Sequence, residues 1–113
     1  MNTSYLTAVA NDYSFDEVYA RILRGTGKSG DVLVALSTSG NSKNIIRALE
    51  AARELGVITI GLTGETGGDM REWCDFLINV PSKDTPRIQE CHIMIGHIIC
   101  EIVESAIFPK NPY

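Results

Sequence analysis

Residues Ser37-Thr38-Ser39-Gly40-Asn41-Ser42 gather four hydroxyls around one glycine. Hydroxyl donors, a backbone without a Cβ to block close approach and the free N–H groups at the start of a following helix are what a phosphate ester requires. A polar turn in which Ser42 serves only as a helix cap would use the same residues. A second group of polar side chains, Gln89, Glu90, His92 and His97, interrupts an otherwise apolar stretch. Imidazole is the side chain suited to moving protons near neutral pH, although a histidine on an apolar helix is commonly a hydrogen-bonded core residue instead. Eight residues separate Gln89 from His97, which on a helix means ~12 Å along the axis and ~80° around it. For both to act on one small ligand, they would have to come from different subunits.

Two glycine-containing segments imitate nucleotide motifs and do not fit them. Gly25-Thr26-Gly27-Lys28-Ser29 resembles the end of a phosphate-binding P-loop, but Ile22 stands where the pattern needs its first glycine. The segment also follows a helical pattern and precedes a strand, the reverse of the required order. The glycines between Gly61 and Gly68 do not match a dinucleotide fingerprint.

The elements that must position these residues are legible from periodicity. Ser14-Phe15-Asp16-Glu17 has the spacing of a capping box and predicts a helix to about Leu23. Residues 31–37 (DVLVALS) predict a buried strand. Ile45, Ile46, Leu49, Ala52 and Leu55 recur at helical spacing over 42–55, with Gly56 as the stop. Residues 57–62 and 76–80 predict two more buried strands, with a short helix around Met70 and Trp73 between them. Thr85 is the expected N-cap of a last helix over 86–107, with Pro86 at its first position. This helix is apolar nearly all round, which predicts burial on several sides and a role in subunit contact. Strand, helix, strand, helix, strand, helix is an α/β pattern with a parallel sheet. Tyr5 to Val9 reads as the tail of a preceding element, so an N-terminal portion is expected to be missing.

The 113 residues suit one domain. With 14 acidic against 10 basic residues the net charge is −4 and no basic stripe exists, which excludes a nucleic-acid-binding role. An anionic ligand must therefore be held by local donors. Three cysteines without a CxxC pair argue against a disulfide framework or zinc knuckle and suit reduced thiols in a cytoplasmic protein. The most apolar segment carries Glu90, His92, His97 and Glu101 and is no membrane span.

Three segments together carry a resemblance: DVLVALSTSGNSKNIIRALEAARELG (31–56), VITIGLTG (57–64) and TPRIQECHIMIGHIICEIVE (85–104). From Leu6 to Glu104 the chain resembles the C-terminal part of the phosphoheptose isomerases of the sugar isomerase (SIS) family. The resemblance implies a three-layer, flavodoxin-like α/β domain with a parallel sheet. Residues 1–113 would form a partial SIS domain, holding strands three to five and lacking the family's N-terminal helices and first two strands. It implies sugar-phosphate binding by Ser37, Thr38, Ser39 and Ser42, with further substrate contacts from Asn11, Asp12 and Gln89. It implies His97 as a catalytic acid–base group, and Gln89 with His97 as two of four zinc ligands. The other two ligands, a His and a Glu, lie in the family on an earlier helix, before the first residue here.

The implied reaction converts sedoheptulose 7-phosphate to D-glycero-D-manno-heptose 7-phosphate, towards ADP-heptose and lipopolysaccharide, in a cytoplasmic homotetramer. The rival expectation is a non-catalytic SIS module, either a sugar-phosphate sensor or a replication-initiator-associating scaffold. Phe108-Pro109 resembles the end of that scaffold, but the scaffold lacks a histidine matching His97.

Overall fold

The computed structural model describes residues 3–109, so the ends of the expected 1–113 domain lie outside the described residues. Helix α1 (Thr3–Asp12) leads through a 3₁₀ turn (Phe15–Glu17) into α2 (Val18–Thr26). Strand β1 (Val32–Leu36), helix α3 (Lys43–Leu55), strand β2 (Ile58–Thr63), a 3₁₀ segment (Gly68–Glu72), strand β3 (Phe76–Asn79) and helix α4 (Thr85–Ile107) follow. The strands form one parallel sheet in the order β1-β2-β3, with Val34 opposite Ile60 and Leu62 opposite Ile78. The expected α/β architecture with its parallel sheet is present.

Local chemistry explains most boundaries. Gly56 ends α3 in the left-handed region at φ 76°, and its N–H meets the carbonyls of Ala52 and Arg53. Helix α4 starts at Thr85 with Asp84 at the cap position and Pro86 in its first turn, one residue from the expected boundary. The residues expected to be the tail of a preceding element form α1. The capping-box helix starts later than expected: Ser14 makes no side-chain cap bond, and the chain runs through a 3₁₀ turn before α2. The P-loop imitation lies at the amino-terminal end of the strands, where Gly30 N–H donates to Gly56 O at 3.0 Å.

Alternation along the strands divides the sheet into two unequal faces. Ala35, Leu49 and Met70 form the buried core on one face, packed by Leu33, Ile45, Ile46, Trp73 and Cys74. Burial and the Asp75 carboxylate push the Cys74 thiol above its ordinary range. On the other face Val32, Val34, Leu36, Ile58, Phe76 and Ile78 are exposed, from 37% to 62%. The strands expected to be buried on both faces are thus covered on one over most of their length, with Leu62 the fully buried exception on the second face. Helix α4 reaches the second face only near its start, through Ile88 and His92, which alone among its residues are buried. From Ile93 to Phe108 its large apolar side chains Ile93, Met94, Ile98, Ile102, Val103, Ile107 and Phe108 are exposed. Burial of this helix on several sides does not occur within one copy, because no described element packs there. Among the described residues no helix is long and apolar enough to cross a membrane.

Candidate functional site

The site forms where a parallel sheet places ligands, at the carboxyl ends of the strands. Ser37 is the first residue beyond β1 and is buried, and its N–H donates to Leu62 O at 3.0 Å. Its Oγ accepts the Gly40 N–H at 3.1 Å and lies 2.8 Å from Ser42 Oγ and 3.4 Å from Ser39 Oγ. Ser39 Oγ accepts the Asn41 N–H at 3.1 Å. The hydroxyls are therefore tied to one another and to the turn, which holds the loop in one shape.

Ser42 stands at the cap position of α3 without a side-chain cap bond, since its hydroxyl pairs with Ser37 instead. The first backbone N–H groups to find helix-type acceptors are those of Ile45 and Ile46, both on Ser42 O. The amides of Lys43 and Asn44 precede that ladder and join the hydroxyls at the positive end of the helix. These donors suit an oxyanion.

Gly40 makes the turn possible. Its φ is 72°, and a Cβ built on it would run into the carbonyl of Gly67. The β1 and β2 loops cross there, joined by Gly64 N–H on Thr38 O at 3.0 Å, Met70 N–H on Gly40 O at 3.0 Å and Asp69 N–H on Asn41 Oδ1 at 2.8 Å. Gly40→Ala is expected to lower stability by about 2–4 kcal/mol, from left-handed strain and the lost crossing. Urea unfolding measures this; a change within ~0.5 kcal/mol would mean that the crossing can yield without cost.

Two cavities flank the loop. One, of about 310 Å³, is lined by Leu36, Ser37, Thr38, Gln89, His92 and Ile93. The other, of about 250 Å³, lies between Thr38 and Ser39 on one side and the segments 64–66 and 82–85 on the other. Gln89, exposed on α4, thus shares a cavity with Ser37 and Thr38, the residues expected to hold phosphate. His92 lines the same cavity and is buried, with Nε2 3.0 Å from Thr63 O, a hydrogen-bonded core histidine that anchors α4 to the sheet.

The remaining expected site residues stand apart from this cluster. His97 is exposed two turns beyond Gln89 and lines neither cavity. Asn11 and Asp12 are exposed at the end of α1 and line neither cavity. Gln89 and His97 lie ~12 Å apart along α4. Among the described residues no group of three or more His, Cys, Asp and Glu side chains could hold a metal ion. The donor set of one copy therefore does not fit the zinc that the resemblance implies, because a tetrahedral ion needs three or four converging ligands.

Sequence reasoning did not single out Glu65 or Lys83, and it read Thr85 only as a helix cap. Their only sequence signal is position, just past β2 and β3, where loops of a parallel sheet converge.

Comparison with known proteins agrees with the fold. A profile of the SIS domain matches residues 1–64. The phosphoheptose isomerase of Aneurinibacillus thermoaerophilus is 58% identical over 107 residues, covering 95% of this chain and 54% of its own length. That of Rhodospirillum rubrum is 59% identical over 106 residues, covering 94% and 56%. The solved phosphoheptose isomerase structure from Neisseria gonorrhoeae superposes with a TM-score of 0.88 at 47% identity, covering 91% of this chain and 59% of that one. The structure from Francisella tularensis gives 0.89 at 36% identity, covering 92% and 56%. The chain spans about half the length of the curated relatives it matches. By its profile match, its strand arrangement and these likenesses, the chain belongs to the SIS-domain family.

Proposed function

We propose that the chain serves a phosphosugar isomerase that converts sedoheptulose 7-phosphate to D-glycero-D-manno-heptose 7-phosphate, a cytoplasmic step towards lipopolysaccharide heptose. The observation that carries this reading is the Ser37–Ser42 loop, whose linked hydroxyls and free helix amides form an oxyanion cradle beside Gln89. Similarity to named phosphoheptose isomerases supports the choice of substrate.

The reaction shifts a proton between adjacent carbons through an enediol, so an acid and a base must reach the reacting carbons. In this reading the loop holds the phosphate and fixes the distance from it to those carbons. Gln89 contacts the sugar from the neighbouring cavity. His97 serves as one proton-transfer group, and its position two turns away supports action on the site of another copy in a homo-oligomer, a tetramer by resemblance. No step depends on a metal held by one copy.

Ser39→Ala with Ser42→Ala is expected to weaken binding of sedoheptulose 7-phosphate, since a hydrogen bond to a charged group contributes about 1.5–3 kcal/mol. Calorimetry on the folded double variant tests the loop, and unchanged affinity would remove it from the site. Binding by the unaltered protein with no turnover at any chain length would favour a non-catalytic sugar-phosphate module.

A further inference from the structure

The cavity of about 250 Å³ beside the loop combines hydroxyl-bearing residues with an ion pair. Its lining includes the hydroxyl-bearing residues Thr38, Ser39, Thr66, Ser82 and Thr85, together with Glu65 and Lys83. Thr38 and Thr85 have no side-chain hydrogen bond among the described residues, so their hydroxyls are available to a ligand. Among the described residues Lys83 is the only lysine or arginine that lines either cavity. Its ammonium lies 3.4 Å from a Glu65 carboxylate oxygen, and its side chain is 82% exposed. The backbones that carry the pair are joined by Glu65 N–H on Ser82 O at 3.2 Å. The two charges therefore sit on a fixed frame, while the lysine stem is free to swing.

We propose that Lys83 is a movable countercharge for the Ser37–Ser42 loop, held by Glu65 until a phosphate monoester enters and then turned onto the phosphate. The inference rests on the oxyanion reading of that loop and adds the cation the loop itself lacks. An exposed lysine–carboxylate pair is weak, so exchanging it for another anion costs little. A phosphate dianion, already bound by neutral hydroxyls and amides, offers a higher charge and three acceptor oxygens. Lysine suits the exchange because its ammonium is a compact charge on a flexible stem, with no fork geometry to satisfy. Glu65 then acts as a gate. It holds the cation near the loop and sets an electrostatic threshold that a neutral sugar does not overcome. The overall charge of −4 makes a local cation more useful, because the field of the whole chain disfavours anions.

Calorimetric titration with sedoheptulose 7-phosphate, inorganic phosphate and unphosphorylated sedoheptulose tests this in the unaltered chain and in Lys83→Met, Lys83→Arg and Glu65→Gln. Lys83→Met is expected to weaken both phosphate ligands about fivefold, and Lys83→Arg to recover most of that loss. Glu65→Gln is expected to strengthen both about twofold to threefold, the opposite direction from damage to the loop. Added salt should weaken binding less in Lys83→Met than in the unaltered chain, because one screened charge pair is gone. Equal affinities in the unaltered chain and Lys83→Met, or weaker binding in Glu65→Gln, would overturn the countercharge while leaving the loop reading intact. If the unaltered chain binds neither phosphate ligand, the loop reading falls and this one with it.

Discussion

With the chain extended to the length of its relatives, His97→Ala is expected to lower kcat by ~10²–10⁴ while substrate affinity stays within about tenfold. Acid–base groups act in the transition state, so removing one affects turnover far more than binding. The position of His97 gives the experiment a second arm. His97 is exposed and lines neither cavity beside its own loop, so in the proposed reading its target is the loop of a neighbouring copy. Mixed with the Ser39→Ala/Ser42→Ala protein, the His97→Ala protein should recover measurable turnover, since some mixed contacts join an intact loop to an intact histidine. Near-normal kcat in the single variant would make His97 a surface residue with no catalytic part. Loss of kcat without recovery on mixing would place its action on its own chain.

The second large effect concerns the 113-residue polypeptide itself, which is expected to self-associate at micromolar concentration. The outer edge of β1 carries no further strand among the described residues, and an open parallel edge invites pairing. Val32, Val34, Leu36, Ile58, Phe76 and Ile78 add an apolar sheet face, and the exposed side chains from Ile93 to Phe108 add an apolar helix. Together these offer on the order of 1,000 Å² of apolar surface, comparable to the ~800 Å² per partner of a standard interface. A monomer seldom leaves so much uncovered. Light scattering coupled to size exclusion measures the mass directly. A monodisperse monomer would show that charged residues such as Glu101 and Glu104 keep the helix solvated. Replacing Ile98 and Ile102 with glutamate should shift the distribution towards monomer if α4 is the main contact.

The sequence revealed elements better than their surroundings. Periodicity placed α3, the three strands and α4 within a residue or two, because Gly56, Pro86 and the apolar repeats act locally. Whether a strand has one neighbour layer or two is not local. DVLVALS is apolar at nearly every position, yet its odd and even residues meet different surroundings, and only the packed structure separates Ala35 from Val34. The site divided in the same way. Ser37, Thr38, Ser39 and Ser42 lie within six consecutive residues, so their convergence was legible. Gln89 joins them only because His92, through Thr63, fixes the start of α4 against β2. Lys83 and Glu65 are ordinary surface charges in sequence and become neighbours only across two loops.

The strand order β1-β2-β3 follows the order of the chain, and each crossover joins immediate neighbours. Among the described strands none waits for a later one to be inserted beside it. During synthesis, which proceeds at about 5–20 residues per second, β2 and α3 can dock on β1 before β3 has been made. The oxyanion loop lies between the first two strands, and its crossing with the β2 loop closes once Met70 is available to Gly40. The phosphate cradle can therefore be shaped on the ribosome before α4 exists. The apolar helix α4 emerges after β1, β2 and β3, when the three strands it follows can already be paired.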